Sequence, residues 1–465
     1  MSIGLEVRKD LKATIVLIVI GVAVYLFAFP APLTDGDTVF YAEIARNMVE
    51  SGDWIVLRSE RMPVVDKGPL TIWPIAISFA LFGESPLTTR AWHIFVAIGC
   101  VVTTYFIARE FFDRKTSFVS GIVLLTTILF YYMGFVPQQD IPGLLLISLG
   151  MLFFIRAVRR SSLVAFYGIF ITLGLGLLNR GLSGAAIPIG IMLVTLISLY
   201  YSDNRPQPPF SGISGWVLHI GLGIALMILV ACPWYIAAYE QQRAELLDTL
   251  LFSGNTRFMS DLDGAANASG IQRAIDWLSY VPLLIVGFLP WSALLVPAVK
   301  ESASRIKQQR SSSDIVFAAW TVVGLLFPFA IRWRVIRYLI PVFPPLAILI
   351  ARYVVSLLAK EDRRPAVSER LPNPLRKVAI VDLAIIVPVF LLAVAYIVVQ
   401  FNTEAADYLP FAVPILLSVS LSQIVFGVLA LQRRIKAAIY SLPLISMAGL
   451  VTAMILLPIY WVQPF

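Results

Sequence analysis

Two short stretches place carboxylates where proton chemistry could be done. Thr34-Asp35-Gly36-Asp37 carries two of them just past the first long apolar run, directly before a segment of helical periodicity. Pro137-Gln138-Gln139-Asp140-Ile141-Pro142 carries another at the head of a later apolar run. Asp is a preferred helix N-cap and proline favours the first helical turn, so capping accounts for each carboxylate taken singly. Asp37 and Asp140 also share one depth on one side of the membrane pattern set out below, where a general base at that surface would stand. The residues alone leave both readings open.

Cations supply the second half of a possible site. Lys67 precedes Gly68-Pro69, a helix start, where a cation opposes the helix dipole at a cost of a few tenths of a kcal/mol or more. A phosphate bound to the free N–H groups and to Lys67 would reverse that sign, and a local ion pair with Asp66 is the structural alternative. Arg332, Arg334, Arg337 and Tyr338 follow in a stretch with no acidic residue between Asp314 and Glu361. A helix beginning near Arg334 would place Arg334, Arg337 and Tyr338 on one face. Their anion would be an acidic loop of this protein, a lipid headgroup or a substrate phosphate. Asn179-Arg180-Gly181, and Asn255 with Arg257, add further arginines on the same side.

Metal and thiol chemistry find little support. His93 and His219 are the only histidines, which excludes a histidine-rich metal site, and Cys100 and Cys232 both fall in apolar runs. His219 reads as a packed core residue, and no cofactor or metal is expected.

The elements that must position these residues are membrane helices. Hydrophobic residues make up 59% of the 465 and charged residues only 14%, where a soluble domain carries about a quarter charged. Apolar runs of spanning length recur from end to end, so an all-α integral membrane fold of about thirteen spans is expected. The first, residues 11–30, follows Arg8, Lys9 and Lys12 without a small-residue cleavage site and reads as an uncleaved anchor. Later spans are expected near 88–108, 116–136, 141–158, 163–179, 183–201, 214–236, 280–299, 315–331, 338–358, 378–400, 410–431 and 437–462. They form one domain over 1–465, with no soluble domain behind the last span.

Two long loops interrupt them, 31–87 and 237–279. In the first, Phe40, Ile44 and Met48 recur at helical spacing, and Pro69 to Phe82 is apolar but too short to span. Both segments read as interfacial helices.

Charge sorts the loops. With the N-terminus cytoplasmic, about two thirds of the 36 Lys and Arg fall in inside loops, as the positive-inside rule requires. The two long loops, Asp37 and Asp140 then lie outside. The net charge of +8 is therefore topological, and nucleic-acid binding is the poorer explanation.

The run from Asp37-Thr38-Val39-Phe40-Tyr41-Ala42-Glu43 through Ser51-Gly52-Asp53-Trp54, then Asp66-Lys67-Gly68-Pro69 and Trp73, resembles membrane glycosyltransferases of the GT-C class. The likeness is to the aminoarabinose transferases that modify lipid A, grouped with the protein O-mannosyltransferases. Asn179-Arg180-Gly181, Pro233-Trp234-Tyr235, Asn255 with Arg257, Pro290-Trp291 and Tyr338-Leu339-Ile340-Pro341 follow in family order.

The resemblance implies inverting transfer of a sugar from a polyprenyl-phosphate donor to a glycolipid or other envelope acceptor, at the outer face of the cytoplasmic membrane. On that reading Asp37 takes the acceptor's proton and Asp140 orients the acceptor or shares the task. Lys67, Arg257, Arg334, Arg337 and Tyr338 would hold the donor phosphate, with Asp35, Tyr41, Asp66 and Arg180 as further contacts. Phe40 and Thr38 stand where the family has Arg and Glu, and Arg180 where it has Lys. The family's C-terminal soluble domain is missing from the pattern, so acceptor identity is not carried over. A transporter or flippase of a lipid-linked or anionic solute is the competing class.

Overall fold

The computed structural model describes residues 2–26, 36–59, 62–64, 67–202, 204, 209–242, 280–329, 336–362, 375–388 and 409–460. These are helical apart from one hairpin of two-residue strands, Arg58–Ser59 and Met62–Pro63. The helices are α1 (Ser2–Tyr25), α2 (Gly36–Ser51), α3 (Pro69–Phe82), α4 (Pro86–Arg109), α5 (Arg114–Leu125), α6 (Ile128–Phe135), α7 (Asp140–Arg160), α8 (Leu163–Tyr201) and α9 (Gly212–Gln242). They continue as α10 (Tyr280–Gly287), α11 (Ser292–Gln309), α12 (Ser312–Phe329), a 3-10 segment (Ile336–Val342), α13 (Phe343–Asp362), α14 (Arg376–Val381), α15 (Leu409–Leu431) and α16 (Ile435–Tyr460). Among the described residues five helices are long and apolar enough to cross a membrane, or seven if each of two bent pairs is one span. The expected thirteen are not reached among them, and most of 378–400 and of the second long loop lies outside the described residues.

Three expected spans differ in form. Residues 116–136 and 280–299 read as straight helices, yet α5 and α6 meet at 66° and α10 and α11 at 108°. At the first break Thr126 and Thr127 turn their hydroxyls back to the carbonyls of Ile122 and Val123; at the second, Pro290 has no N–H to continue a helix. The two breaks then satisfy each other. The Ile128 N–H donates to the Leu289 carbonyl at 2.9 Å, and Trp291 Nε1 donates to Thr126 Oγ1 at 2.9 Å. Away from water, non-helical backbone persists only where protein groups re-pair it. The third difference is at 336–342, where Pro341 stands in a 3-10 turn ahead of α13. The α-helical spacing expected for Arg334, Arg337 and Tyr338 therefore does not apply.

Although α8 runs unbroken in hydrogen-bond pattern for 39 residues, it holds two antiparallel arms, as the separate spans at 163–179 and 183–201 require. Arg180 and Gly181 leave helical geometry, Gly181 at φ 57°, a region glycine enters at little cost. Beyond the turn the arms touch backbone to backbone: a Cβ on Gly184 would lie 2.0 Å from the Gly176 carbonyl oxygen.

Ion pairs gather the basic loops at one end of the bundle. Asp10 of α1 meets Arg109 and Arg114, buried Glu110 meets Arg156 and Arg160, and buried Asp314 meets Arg305 and Arg352. The N-terminal helix thus shares an end with the loops sorted beside it by charge. At the opposite end α2 and α3 pack against each other through Ile44, Met48, Ile72, Ile75 and Phe79, which gives the short amphipathic segments their own core. His219, expected in the core, is only half-buried: its Nδ1 lies 2.7 Å from the Tyr167 hydroxyl and its ring stacks on Phe210 on a largely exposed helix.

Gly184→Ala is expected to push the two arms of α8 apart and lower stability by about 1–3 kcal/mol. Gly221→Ala, with nothing within 4 Å of the added carbon, should not. Thermal unfolding in detergent compares the two.

Candidate active site

Neither carboxylate is a cap. Asp37 is the second residue of α2 and Asp140 the first of α7, whose cap position is Gln139, without a side-chain cap bond. Their oxygens go instead to arginines. Arg337 Nη1 donates to Asp37 Oδ2 at 2.6 Å, and Arg180 Nη1 donates to Asp140 Oδ1 at 2.6 Å. Arg337 Nε also lies 3.9 Å from Asp140 Oδ2, so one guanidinium stands between both acids. Gln138 closes the group: its Nε2 donates to Asp37 Oδ2 at 2.8 Å and its Oε1 accepts from Arg337 Nη1 at 3.1 Å. The anion that the late arginines call for is, for Arg337, an acidic segment of the same chain.

Four segments far apart in sequence meet here because their backbones are fitted to one another. Buried His93 on α4 accepts the Gln138 N–H at 3.0 Å and so holds the turn ahead of α7. Asn179 donates to the Gln139 carbonyl at 2.9 Å and accepts from Thr71 Oγ1 on α3 at 2.8 Å. Gly68 lies so close to the α8 turn that a Cβ there would stand 2.0 Å from the Leu178 carbonyl oxygen. That contact brings Lys67, which is half-buried, beside the Arg180 turn. Arg180 in turn lies over the Tyr338 ring, 5.2 Å from its centre.

The two acids differ in access. The Asp37 side chain is 43% exposed and the Asp140 side chain 4%. Asp37 is the more accessible of the two, and Asp140 lies behind its arginines, facing a cavity. This cavity runs from Asp140, Arg180, Arg337 and Tyr338 to Leu144 and Ile147, one and two turns deeper along α7. A charged rim over an apolar interior suits an amphiphile whose anionic head stays with the arginines.

Of the residues singled out by sequence, the structure thus brings together Asp37, Asp140, Arg180, Arg337 and Tyr338, with Lys67 alongside. Tyr41 is buried in the α2–α3 core, within electrostatic range of Arg180, and has little surface to offer a substrate. Asp35, Asp66, Arg257 and Arg334 lie outside the described residues. Gln138 and His93 were not assigned roles. Gln138 stands two residues before Asp140, the one local hint, whereas nothing near His93 in sequence points to a partner 45 positions away.

The fold is that of GT-C class membrane glycosyltransferases. The chain superposes on the crystal structure of ArnT from Cupriavidus metallidurans bound to undecaprenyl phosphate with a TM-score of 0.73, covering 95% of this chain and 76% of that one at 20% identity. On the archaeal oligosaccharyltransferase AglB from Archaeoglobus fulgidus the TM-score is 0.52, with 84% and 56% covered at 14% identity.

Sequence relatives narrow the class. A model of the dolichyl-phosphate-mannose-protein mannosyltransferases matches residues 66–205. An undecaprenyl phosphate-α-4-amino-4-deoxy-L-arabinose arabinosyl transferase of Aeromonas salmonicida is 27% identical over 72% of this chain and 58% of its own length. One of the same description from Pectobacterium carotovorum is 25% identical over 78% and 61%. The chain spans about three fifths of the length of these relatives. The chain thus has the GT-C fold and is similar in sequence to the aminoarabinose transferases.

Arg180→Ala is expected to leave Asp140 buried with only the 3.9 Å contact to Arg337, lowering stability by about 3–5 kcal/mol. Adding Asp140→Asn should recover much of the loss. Unfolding of the single and double variants in detergent measures both.

Proposed function

We propose that this chain is an inverting glycosyltransferase that moves a sugar from a polyprenyl-phosphate donor to a lipid or glycan acceptor at the outer face of the cytoplasmic membrane. The observation that carries the proposal is that one guanidinium, Arg337, stands between Asp37 and Asp140 and, with Asp140, Arg180 and Tyr338, lines the polar end of an otherwise apolar cavity. A lipid-linked donor is itself a charged head on an apolar chain, and it would enter from the bilayer.

The acceptor's hydroxyl attacks the anomeric carbon as the bond to the phosphate oxygen breaks. Its proton passes to Asp37, the accessible acid. Charge developing on the leaving phosphate is met by Lys67, Arg337 and Tyr338, joined by Arg257 and Arg334 from segments outside the described residues. Asp140, sealed behind Arg180, keeps that arginine in register and shares in orienting the acceptor. A monophosphate leaving group met by this many cations needs no nucleotide.

The arabinosyl transferases named above carry their donor class in their names, undecaprenyl phosphate-linked aminoarabinose, which supports the polyprenyl-phosphate part of this reading. Sorting of the basic loops by the positive-inside rule supports the outer face. A transport protein would gather its charges near the bilayer midplane; these stand at the ends of α2, α7 and the 3-10 segment.

Asp37→Asn should lower sugar transfer by about 10²-fold or more while the protein still folds and binds undecaprenyl phosphate; transfer at the wild-type rate would sink the base assignment. Lys67→Ala should weaken undecaprenyl phosphate binding in a titration, and unchanged affinity would assign Lys67 to structure.

A further inference from the structure

The arrangement around Asp37 contains a conflict that the reaction must resolve. On the reading above, Arg337 is one of the cations that meet the leaving phosphate, and in the structure it is the partner of the base. While Arg337 stays in place, its guanidinium covers Oδ2, the oxygen that Gln138 holds in position. The donor phosphate, a diester, matches the carboxylate in free oxygens and charge, but as the sugar departs it becomes a monoester that offers the same guanidinium a third oxygen and more charge.

The two acids would respond unequally to a move by Arg337. Asp140 keeps its 2.6 Å bond from Arg180, and its contact with Arg337 is already long at 3.9 Å. Asp37 keeps only the amide of Gln138, because both of its hydrogen bonds, from Arg337 and Gln138, fall on the single oxygen Oδ2. Gln138 itself stays put, since its backbone is tied to His93 on another helix. Loss of Arg337 would thus leave Asp37 oriented by a neutral donor and free of a cation at hydrogen-bond distance among the described residues.

We propose that Arg337, with Gln138, is a positioning pair that couples the base to the leaving group: the phosphate monoester that forms as the sugar departs takes Arg337 over and releases Asp37 to accept the proton, and Gln138 keeps the released carboxylate aimed. The inference rests on the reading under Proposed function for the identity of the phosphate. It ties the acceptor's deprotonation to the departure of the leaving group, because Arg337 is drawn off as charge develops on the phosphate. Linkage makes it testable without turnover. If phosphate and Asp37 compete for one guanidinium, removing the charge of Asp37 must strengthen phosphate binding by the amount that Asp37 opposed it.

The experiment titrates the full chain in detergent with undecaprenyl phosphate, as wild type, Asp37→Asn, Arg337→Gln and the double variant. Asp37→Asn is expected to bind about fivefold tighter or more than wild type, and the double variant no tighter than Arg337→Gln alone. Equal affinity of wild type and Asp37→Asn overturns the inference. So does a gain that persists without Arg337, which would mean only that a nearby negative charge had been removed. Should Arg337→Gln not fold, infrared difference spectra of the wild type on adding undecaprenyl phosphate decide: a shifted carboxylate band that Asp37→Asn lacks is expected, and its absence overturns the coupling. A wild type that binds no undecaprenyl phosphate overturns the glycosyltransferase reading and the inference with it, whereas binding without coupling overturns the inference alone.

Discussion

Asp140 is sealed from water by its own fold, and an ionised carboxylate in that position has to be matched by cations held at contact distance. Much of the loop-rich end of the bundle follows from this. Arg180 reaches Asp140 because α8 turns back on itself at 180–181. That reversal in turn needs glycines at 176 and 184, where the two arms meet without side chains between them. Arg337 approaches from the other side on a 3-10 turn, and the same guanidinium extends to Asp37 on a helix that lies outside the spans. The two acids are therefore held by one electrostatic arrangement, although 103 positions of sequence carry them on separate elements.

This arrangement also sets apart two acids that look alike in sequence. Each stands at the start of a helix, each is followed by apolar residues, and each admits a capping explanation. Burial separates them. Asp37 keeps an oxygen toward the surface, and Asp140 has both of its oxygens facing arginine. The cavity beneath runs along α7 below Asp140, so the buried acid marks the boundary between the polar rim and the apolar interior.

What the sequence makes readable depends on how local the cause is. Span positions follow from runs of apolar residues, and the two short helices of the first loop from the spacing of Phe40, Ile44 and Met48 and from the short apolar run Pro69 to Phe82; all are local causes. The membership of Asp37, Asp140, Arg180, Arg337 and Tyr338 in one end of the molecule follows from span counting and charge, which is nearly local. Pairings are not. Nothing in sequence says that the Arg337 anion is Asp37, because the two are 300 positions apart. His93 escapes for the same reason, and Tyr41 reads as a contact until the packing of α2 on α3 shows its ring in the core. The bent helices escape because each break is stabilised by the other, and neither is strong enough in Thr126-Thr127 or Pro290 to be seen alone.

That mutual stabilisation bears on how the protein is made. Trp291 is synthesised 165 residues after Thr126, and Leu289 likewise long after Ile128. When residues 114–135 first enter the bilayer, the acceptor for the Ile128 N–H does not yet exist. A continuous helix is the form in which every backbone group of that segment finds a partner within the segment. The bend therefore depends on a segment made much later, which takes up the groups that the first break frees.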